Sequence, residues 1–580
     1  MTGIRMVVSE DVLSLIRKHA IKNAIDYGKA DDGSVLGKVI PQSKGIPIPE
    51  LKAEVHRVVT EVNSMAKSDL LDAYAPFEKE FEKRAEETAM KTGKPKMELD
   101  GAEVGNFATR WPPEPSGYQH IGHAKPIFLE DEFRRIYKGK LFLYFDDTNP
   151  EKARQEYVDA DKADLAWFGI KFDKEYYASD NIDKIYEYAR KLILDGHAYT
   201  CACSQETMKK KRLAMEECEH RAKKPDESLS EFDGMIAGAY EEGAMVLRFR
   251  GDMGSNNTVM RDPTIARIKK AVHYRQGTKY KVWPTYDLAT PINDSLNGVT
   301  DVLRSKEYEL RAVLDTTILK LLGLRVPRIH PFSRLNIIGN TTHKREIREM
   351  IADGAIKGWD DPRLMTLIAI RRRGVVPEAI RAFALRAGMT KTDSELSLES
   401  LLAENKKAID PIAKHLFFVS NPVRVEVQGF AGAHASLRLH PSSNLGTRSF
   451  DTGSVFYISG VDAETAKAGD MIRLKDLIDI KVLSKSQGVI TAVPGSSWGG
   501  GRIIQWVSAQ NMAECSVLMP GPIFDDSGAF NPDSLVTMNG YVEGYAKNLS
   551  EHEHVQFERF GYCILDRKET GRLLFIFTSK

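Results

Sequence analysis

The chain has no run of about 18 apolar residues able to cross a bilayer as a helix. Its first 19 residues mix charges with valine and leucine instead of forming the apolar core of a secretion signal. Cysteine is scarce: five in 580 residues are too few for a disulfide framework, so the expected compartment is a reducing cytoplasm, with no membrane partner. Net charge is almost missing as well. Lysine and arginine number 82 against 81 acidic residues, so a polyanionic partner must be met by local basic patches. Internal repeats and low-complexity tracts are missing too, which sets aside repeat arrays. What is there is an ordinary globular composition in a chain too long for one core, and about three to five domains are expected.

The most informative stretch is Arg110-Trp111-Pro112-Pro113-Glu114-Pro115-Ser116-Gly117-Tyr118-Gln119-His120-Ile121-Gly122-His123-Ala124-Lys125. Three prolines within four positions, followed by Ser-Gly, cannot be helix, because each ring fixes φ and removes an amide donor. Residues 104–110 are apolar enough for a strand, and a helix is expected from near Gly122 through Ile127, Phe128 and Phe133. The first amides of that helix lack partners and point back at the loop, which makes a place for an anion. His120 and His123 can then both face one phosphate, donating to charge that grows as a phosphoryl group is attacked. The plain alternative is two histidines spaced by chance; the proline loop and Gly117 in register with them favour the first reading.

These residues resemble the HIGH signature of class I aminoacyl-tRNA synthetases. The form Pro-Pro-Glu-Pro-Ser-Gly-Tyr-x-His-Ile-Gly-His-Ala-Lys resembles the archaeal and eukaryotic branch of the glutamyl and glutaminyl enzymes. The resemblance implies ATP binding by Pro113, His120, Gly122 and His123, with Mg-ATP, an amino acid and tRNA as substrates.

Periodicity divides the chain. Residues 1–103 read as helical: Val12, Leu13, Leu15 and Ile16, then Ala20, Ile21, Ala24 and Ile25, keep helical spacing. A Gly/Pro/Lys-rich connector follows over 33–49, and a second helical pair ends in a charged run over 79–96, read as a solvated face. By resemblance this domain contacts tRNA or a protein partner. Residues 104–195 alternate strand and helix, with a buried parallel strand at 141–145 and helices at 151–167 and 181–194, the pattern of a doubly wound sheet. Residues 196–282 interrupt the alternation as an insertion, 283–340 resume it, 341–415 are helical, and 416–580 hold short alternating runs separated by turns, enough for one or two β-barrels. By resemblance the insertion binds the acceptor stem, 341–415 contacts the stem and the barrels bind the anticodon. The expected architecture is therefore multi-domain α/β: a class I Rossmann-like catalytic core with an inserted acceptor-stem domain, helical N-terminal and stem-contact regions, and C-terminal β-barrels.

Phe145-Asp146-Asp147-Thr148-Asn149-Pro150 lies at the carboxyl end of a strand, where open α/β sheets bind ligands. A carboxylate there can hold an ammonium group or cap the next helix. The segment resembles the family's Arg-Phe-Asp-Asp-Thr-Asn-Pro, whose first Asp, here Asp146, contacts the substrate's amino group; Tyr144 stands where the family has Arg. Arg304, delivered from an apolar strand end, suits a carboxylate by two parallel hydrogen bonds and would be left unpaired by an amide. Its structural alternative is a pair with Glu307 or Asp301. By resemblance glutamyl enzymes keep Arg at this position and glutaminyl enzymes a small residue, and Arg110, Glu114 and Tyr286 belong to the same pocket. Phe332-Ser333-Arg334-Leu335-Asn336, with Lys344 ten residues after Arg334, resembles the family's second signature, KMSKS. Thr342 and His343 depart from that pattern, and Lys344 is retained to stabilise the triphosphate, with Arg334 adding a nucleotide contact.

In the insertion, Cys201, Cys203, Cys218 and His220 form a C-x-C…C-x-H set, and three thiolates with an imidazole make a tetrahedral zinc shell. The alternative is buried cysteines acting as small hydrophobes. Arg371-Arg372-Arg373 reads either as a phosphate contact or as a solvated face. The resemblance implies ATP-dependent attachment of L-glutamate to tRNA(Glu) through a glutamyl-adenylate. Its rivals are a glutaminyl enzyme, a non-catalytic tRNA-binding paralogue, and a class I nucleotidyltransferase that leaves the insertion and barrels without purpose.

Overall fold

The computed structural model describes residues 9–27, 29–40, 43, 46–77, 97–337, 344–386, 388–389, 391, 394–496, 500–525 and 527–580, in two compact units, Met1–Lys96 and Met97–Lys580. In the first unit, helices Glu10–Tyr27, Asp32–Val39, Ile48–Asn63 and Lys67–Tyr74 enclose Ile16, Ala20, Val35, Val55 and Val59. Helix Asp32–Val39 overlaps the first part of the expected connector. Asp31 caps it, its carboxylate accepting from the Ser34 N–H at 2.7 Å, and burial of Val35 and Val39 outweighs the poor helix propensity of Gly33 and Gly37. The charged run over 79–96 lies outside the described residues.

In the second unit, β1 (Ala108–Trp111), β2 (Lys140–Phe145) and β3 (Lys174–Tyr177) pair in parallel, with α1 (Ile121–Ile136) and α2 (Gln155–Trp167) as crossovers. The strand begins at Ala108, not at 104: the Gly105 N–H turns back onto the Tyr137 carbonyl at φ 84°, which leaves Val104 exposed. Farther along, α3 (Tyr286–Leu296) leads to β4 (Asp301–Ser305), α4 (Glu309–Leu322) and β5 (Arg328–Phe332), with β4 and β5 parallel. The two sheets meet at β1, where the Thr300 N–H donates to the Ala108 carbonyl and the Ala108 N–H to Thr300 Oγ1, each at 2.8 Å. Chain order thus reverses between β1 and β4, so their carboxyl ends flank one crevice, the place where such sheets bind ligands.

The insertion is a four-stranded antiparallel sheet, Ala198–Cys201, Val246–Phe249, Thr264–Ile268 and Val282–Pro284, packed around Phe232, Leu247 and Trp283. The C-terminal region holds two seven-stranded sheets. The edges of one are Lys414–Leu416 and Phe418–Ser420, and those of the other Arg502–Ile504 and Val507–Ser508. Each pair of edges is contiguous in the chain, so each sheet curls back on itself into a near-closed barrel, one filled by Val517, Phe557 and Phe575, the other by Val425, Phe456 and Trp506. The seam between barrel and helical region corrects the reading of the arginine triplet. Arg372 donates to Asp566 at 2.8 Å, Thr578 Oγ1 to the Arg373 carbonyl at 2.7 Å, and Arg373 is buried, so these two side chains face protein. No described helix is long and apolar enough to cross a membrane.

Candidate active site

The proline loop leaves β1 and is held from its flanks. The Asp146 N–H donates to the Pro113 carbonyl and the Arg154 N–H to the Pro115 carbonyl, each at 3.0 Å. His120 then caps α1, its Nδ1 accepting from the Gly122 N–H at 3.1 Å, while His123 Nδ1 accepts from the His120 N–H at 3.1 Å. A ring that accepts at Nδ1 carries its proton at Nε2 when neutral, which makes each imidazole a donor at Nε2. The rings lie 3.9 Å apart by centroid. Burial, followed by the nearby His120 and the Lys344 ammonium, pushes His123 well below the ordinary imidazole range, so this neutral donor persists at neutral pH. Gly122 is required by contact: a Cβ there would lie 2.8 Å from His120 Cε1.

Lys344 opens helix α5 (Lys344–Ala352), and its Nζ donates to the Gly117 carbonyl at 3.1 Å; one turn later Arg348 donates to the Ser116 carbonyl at 2.8 Å. Burial lowers the Lys344 pKa. Thr342 and His343 lie outside the described residues. Arg334 sits at the rim, 56% exposed and paired with Glu307 at 2.9 Å.

A cavity of about 570 Å³ is lined by His120, Gly122, His123, Arg334, Arg110, Tyr286 and Arg304. Arg110 is 1% exposed; its Nε donates to Asp294 at 2.8 Å, and its two terminal nitrogens are buried without a partner. Arg304 donates one terminal nitrogen to Asp315 at 2.6 Å, leaves its buried Nε unpaired, and lies 5.9 Å from the Tyr286 ring centroid. Neither Glu307 nor Asp301 is its partner, since Glu307 pairs with Arg334 and Asp301 with Arg328 and His330. Two arginines with spare buried donors in one wall form an anion subsite, because an orphaned buried donor costs about 1–3 kcal/mol until something accepts from it.

Tyr286 also borders a second cavity of about 490 Å³ that holds Glu114, Asp146, Thr148, Asn149, Arg212, Arg267 and Arg311. Glu114 is exposed. Asp146 is pushed up to about 7 by burial, against the hydrogen bond it accepts from Thr148 Oγ1 at 3.1 Å. The adjacent Asp147 points the other way, accepting from the Ser179 N–H at 2.8 Å and its hydroxyl at 2.7 Å. Neither carboxylate caps the helix that follows, whose N-cap Arg154 makes no side-chain capping bond; Asp147 is spent on Ser179, and Asp146 faces the cavity.

In the insertion, the ligand atoms of Cys201, Cys203, Cys218 and His220 all lie within 4.8 Å of one another. The Cys201 and Cys218 sulfurs are 3.8 Å apart, and His220 Nδ1 lies 3.4 Å from Cys203 Sγ. A tetrahedron with Zn–S bonds of about 2.3 Å has sulfur edges of about 3.8 Å, so the donor set fits zinc. Arg248, buried, donates to Cys218 at 3.5 Å and to Cys201 at 3.8 Å, which favours thiolates. Another cluster, Asp410, His415 and His440, lacks a free nitrogen on His440: Nε2 meets the Asp410 carbonyl at 3.0 Å and Nδ1 accepts from the Ser443 N–H at 2.7 Å.

Sequence reasoning missed the residues that hold the arginines. Asp294 had a signal, being two turns after Tyr286 on the same helix face; Asp315, on a separate helix, had none. Glu130, seven residues after His123 on α1, also lines the first cavity and was legible by the same periodicity.

The family model "tRNA synthetases class I (E and Q), catalytic domain" matches residues 106–411, and anti-codon binding domain models of the same group match 413–496 and 503–566. A glutamate–tRNA ligase of Cenarchaeum symbiosum is 38% identical over 97% of this chain and 99% of its own length. One of Nitrosopumilus maritimus is 37% identical over 99% and 100%, and one of Pyrococcus abyssi 34% over 98% and 100%. With its catalytic core and both barrels so matched, the chain belongs to the class I tRNA synthetases of the E and Q family.

Proposed function

We propose that the chain attaches L-glutamate to tRNA(Glu) in the cytoplasm, using Mg-ATP and a glutamyl-adenylate intermediate. What supports this is the pair Arg110 and Arg304, each tethered by one aspartate, the first with two and the second with one unpaired buried donor, both lining the cavity that also holds His120 and His123. An acidic side chain completes those donors, whereas the amide of glutamine would leave a guanidinium N–H facing an N–H.

The reaction runs in two in-line steps. The α-carboxylate of glutamate attacks the α-phosphate of ATP, releasing pyrophosphate, and the terminal ribose hydroxyl of tRNA then attacks the adenylate carbonyl, releasing AMP. His120 and His123 donate from Nε2 to the phosphate oxygens as charge builds, Lys344 serves the β- and γ-phosphates, and Arg334 contacts the nucleotide beside Pro113 and Gly122. Lys344 must leave the Gly117 carbonyl to do so. Asp146, with Glu114 nearby, holds the substrate ammonium, and Tyr286 separates the two cavities. Catalysis comes from positioning and charge stabilisation without a dedicated protein base. Zinc on Cys201, Cys203, Cys218 and His220 would brace the insertion, which meets the acceptor stem; 341–415 contacts the stem and 416–580 the anticodon. The 1–103 region contacts tRNA or a protein partner.

The test is aminoacylation by the purified protein with glutamate and with glutamine on defined transcripts. Selective use of glutamine overturns the pocket assignment. Pyrophosphate exchange with tRNA present, no greater than in His123→Ala, points instead to a tRNA-binding module.

A further inference from the structure

Glu130, two turns beyond His123 on α1, lines the first cavity at 0% exposure, and neither of its carboxyl oxygens has a hydrogen-bond partner. A buried carboxyl with no partner is costly in either state and far more so as an anion, so its position beside a ligand site calls for a reason. The groups around it are Arg110 from β1, Tyr176 from β3, Tyr286 and Asp294 from α3, Arg304 from β4 with its partner Asp315 from α4, and His123 from its own helix.

Charge in this wall is already balanced. Asp294 answers Arg110 and Asp315 answers Arg304. An ionised Glu130 would make the cavity anionic and repel an acidic side chain, or would draw in the N–H₂ of an amide. Burial, and secondarily Asp294, instead push Glu130 well above the usual carboxylate range against the pull of Arg110. A neutral carboxyl carries one O–H, and no group of the described protein accepts it. A ligand carboxylate in the cavity would supply that acceptor.

We propose that Glu130 is a substrate-binding residue that, as a carboxylic acid, donates a hydrogen bond to the side-chain carboxylate of the bound amino acid, beside Arg110 and Arg304. This rests on the glutamate reading above. Arg110 and Arg304 supply the charged hydrogen bonds, and Glu130, as a neutral donor, takes a further acceptor site on the same carboxylate without adding charge to the wall.

Full-length Glu130→Leu and Glu130→Gln, assayed with tRNA, ATP and glutamate, test it. Leu removes the donor and should raise KM for glutamate at least about tenfold with KM for ATP unmoved; Gln restores an N–H donor and should recover most of that loss. Leu should also leave the thermal midpoint unchanged or higher, because it removes an unpaired buried polar group. The wild type should lose glutamate affinity at alkaline pH as Glu130 ionises, and Glu130→Gln should lack that limb. A KM for glutamate within twofold of wild type in the Leu variant overturns the contact, and a Gln variant as impaired as the Leu variant shows that the anion, not the acid, is needed. A wild type that charges only glutamine fails the functional reading itself, and this assignment falls with it; the first two outcomes sink the assignment alone.

Discussion

Replacing Arg304 with glutamine perturbs two things at once, and the structure says how to separate them. Arg304 is 7% exposed and is tethered by Asp315 at 2.6 Å; removing it strands a buried carboxylate, which costs about 3–5 kcal/mol of stability when nothing relaxes. Asp315 relieves part of that by taking up a proton, since burial already holds it near about 6 with the arginine in place. The double variant Arg304→Gln/Asp315→Asn removes the stranded charge altogether. Its stability should return toward wild type, whereas its charging of glutamate should not. Two hydrogen bonds from a guanidinium to a carboxylate are each worth about 1.5–3 kcal/mol, so both variants should lose about 10²- to 10⁴-fold in kcat/KM for glutamate. Steady-state aminoacylation on a tRNA(Glu) transcript, with thermal unfolding in parallel, reads both quantities. If the double variant charges glutamate within tenfold of wild type, the guanidinium does not bind the substrate and the reasoning fails.

Gly122→Ala should lower activity far more than stability: its Cβ displaces the His120 ring and should cut pyrophosphate exchange about 100-fold, while the lost cap costs about 0.5–2 kcal/mol, partly offset by the better helix propensity of alanine. Metal analysis should find about one zinc per chain, removed by a strong chelator with a lower thermal midpoint and abolished by Cys218→Ser. Asp146 titrates near about 7 in the folded chain against an ordinary value of 3.8, so folding disfavours its ionised form. Its contribution to stability should therefore decline as pH rises from about 4 to about 7 and level off above. Over the same window the carboxylate that holds the substrate ammonium appears, so KM for glutamate should fall from pH 6 to pH 8, a dependence that Asp146→Asn removes.

The nucleotide side of the site was legible because it is local. Proline spacing stops a helix, Ser-Gly turns the chain, and the helix that follows must present its first amides; those are local signals, although the loop is then held by Asp146, Arg154, Lys344 and Arg348. The amino acid side was legible only as residue types. Arg304 was marked for a carboxylate, yet its partner was expected among Glu307 and Asp301, which are close in sequence, while Asp315 reaches it from the next helix. Arg372 was misread for the same reason: its partner Asp566 stands 194 residues away. The helix at Asp32–Val39 was hidden by glycine content, because a cap at Asp31 and two valines meeting a core formed elsewhere outweigh propensity. Errors fell where tertiary partners decide, and periodicity held where one face of an element is buried.

The aspartate tethers explain how a buried site can be strongly cationic toward ligand without being cationic overall. Each arginine spends one nitrogen on a carboxylate at 2.6 to 2.8 Å, which fixes the plane of its guanidinium and meets much of the desolvation cost of its charge. The nitrogens left over are already oriented, so a ligand carboxylate binds without freezing a long side chain. Asp146 follows the converse arrangement: one oxygen is held by Thr148, and burial keeps its pKa close to neutrality, so an arriving ammonium can ionise it at little cost. On the proposed reading the α-amino group and the side-chain carboxylate would be held from two cavities that share Tyr286, and the length of the amino acid between them would be selected by that wall.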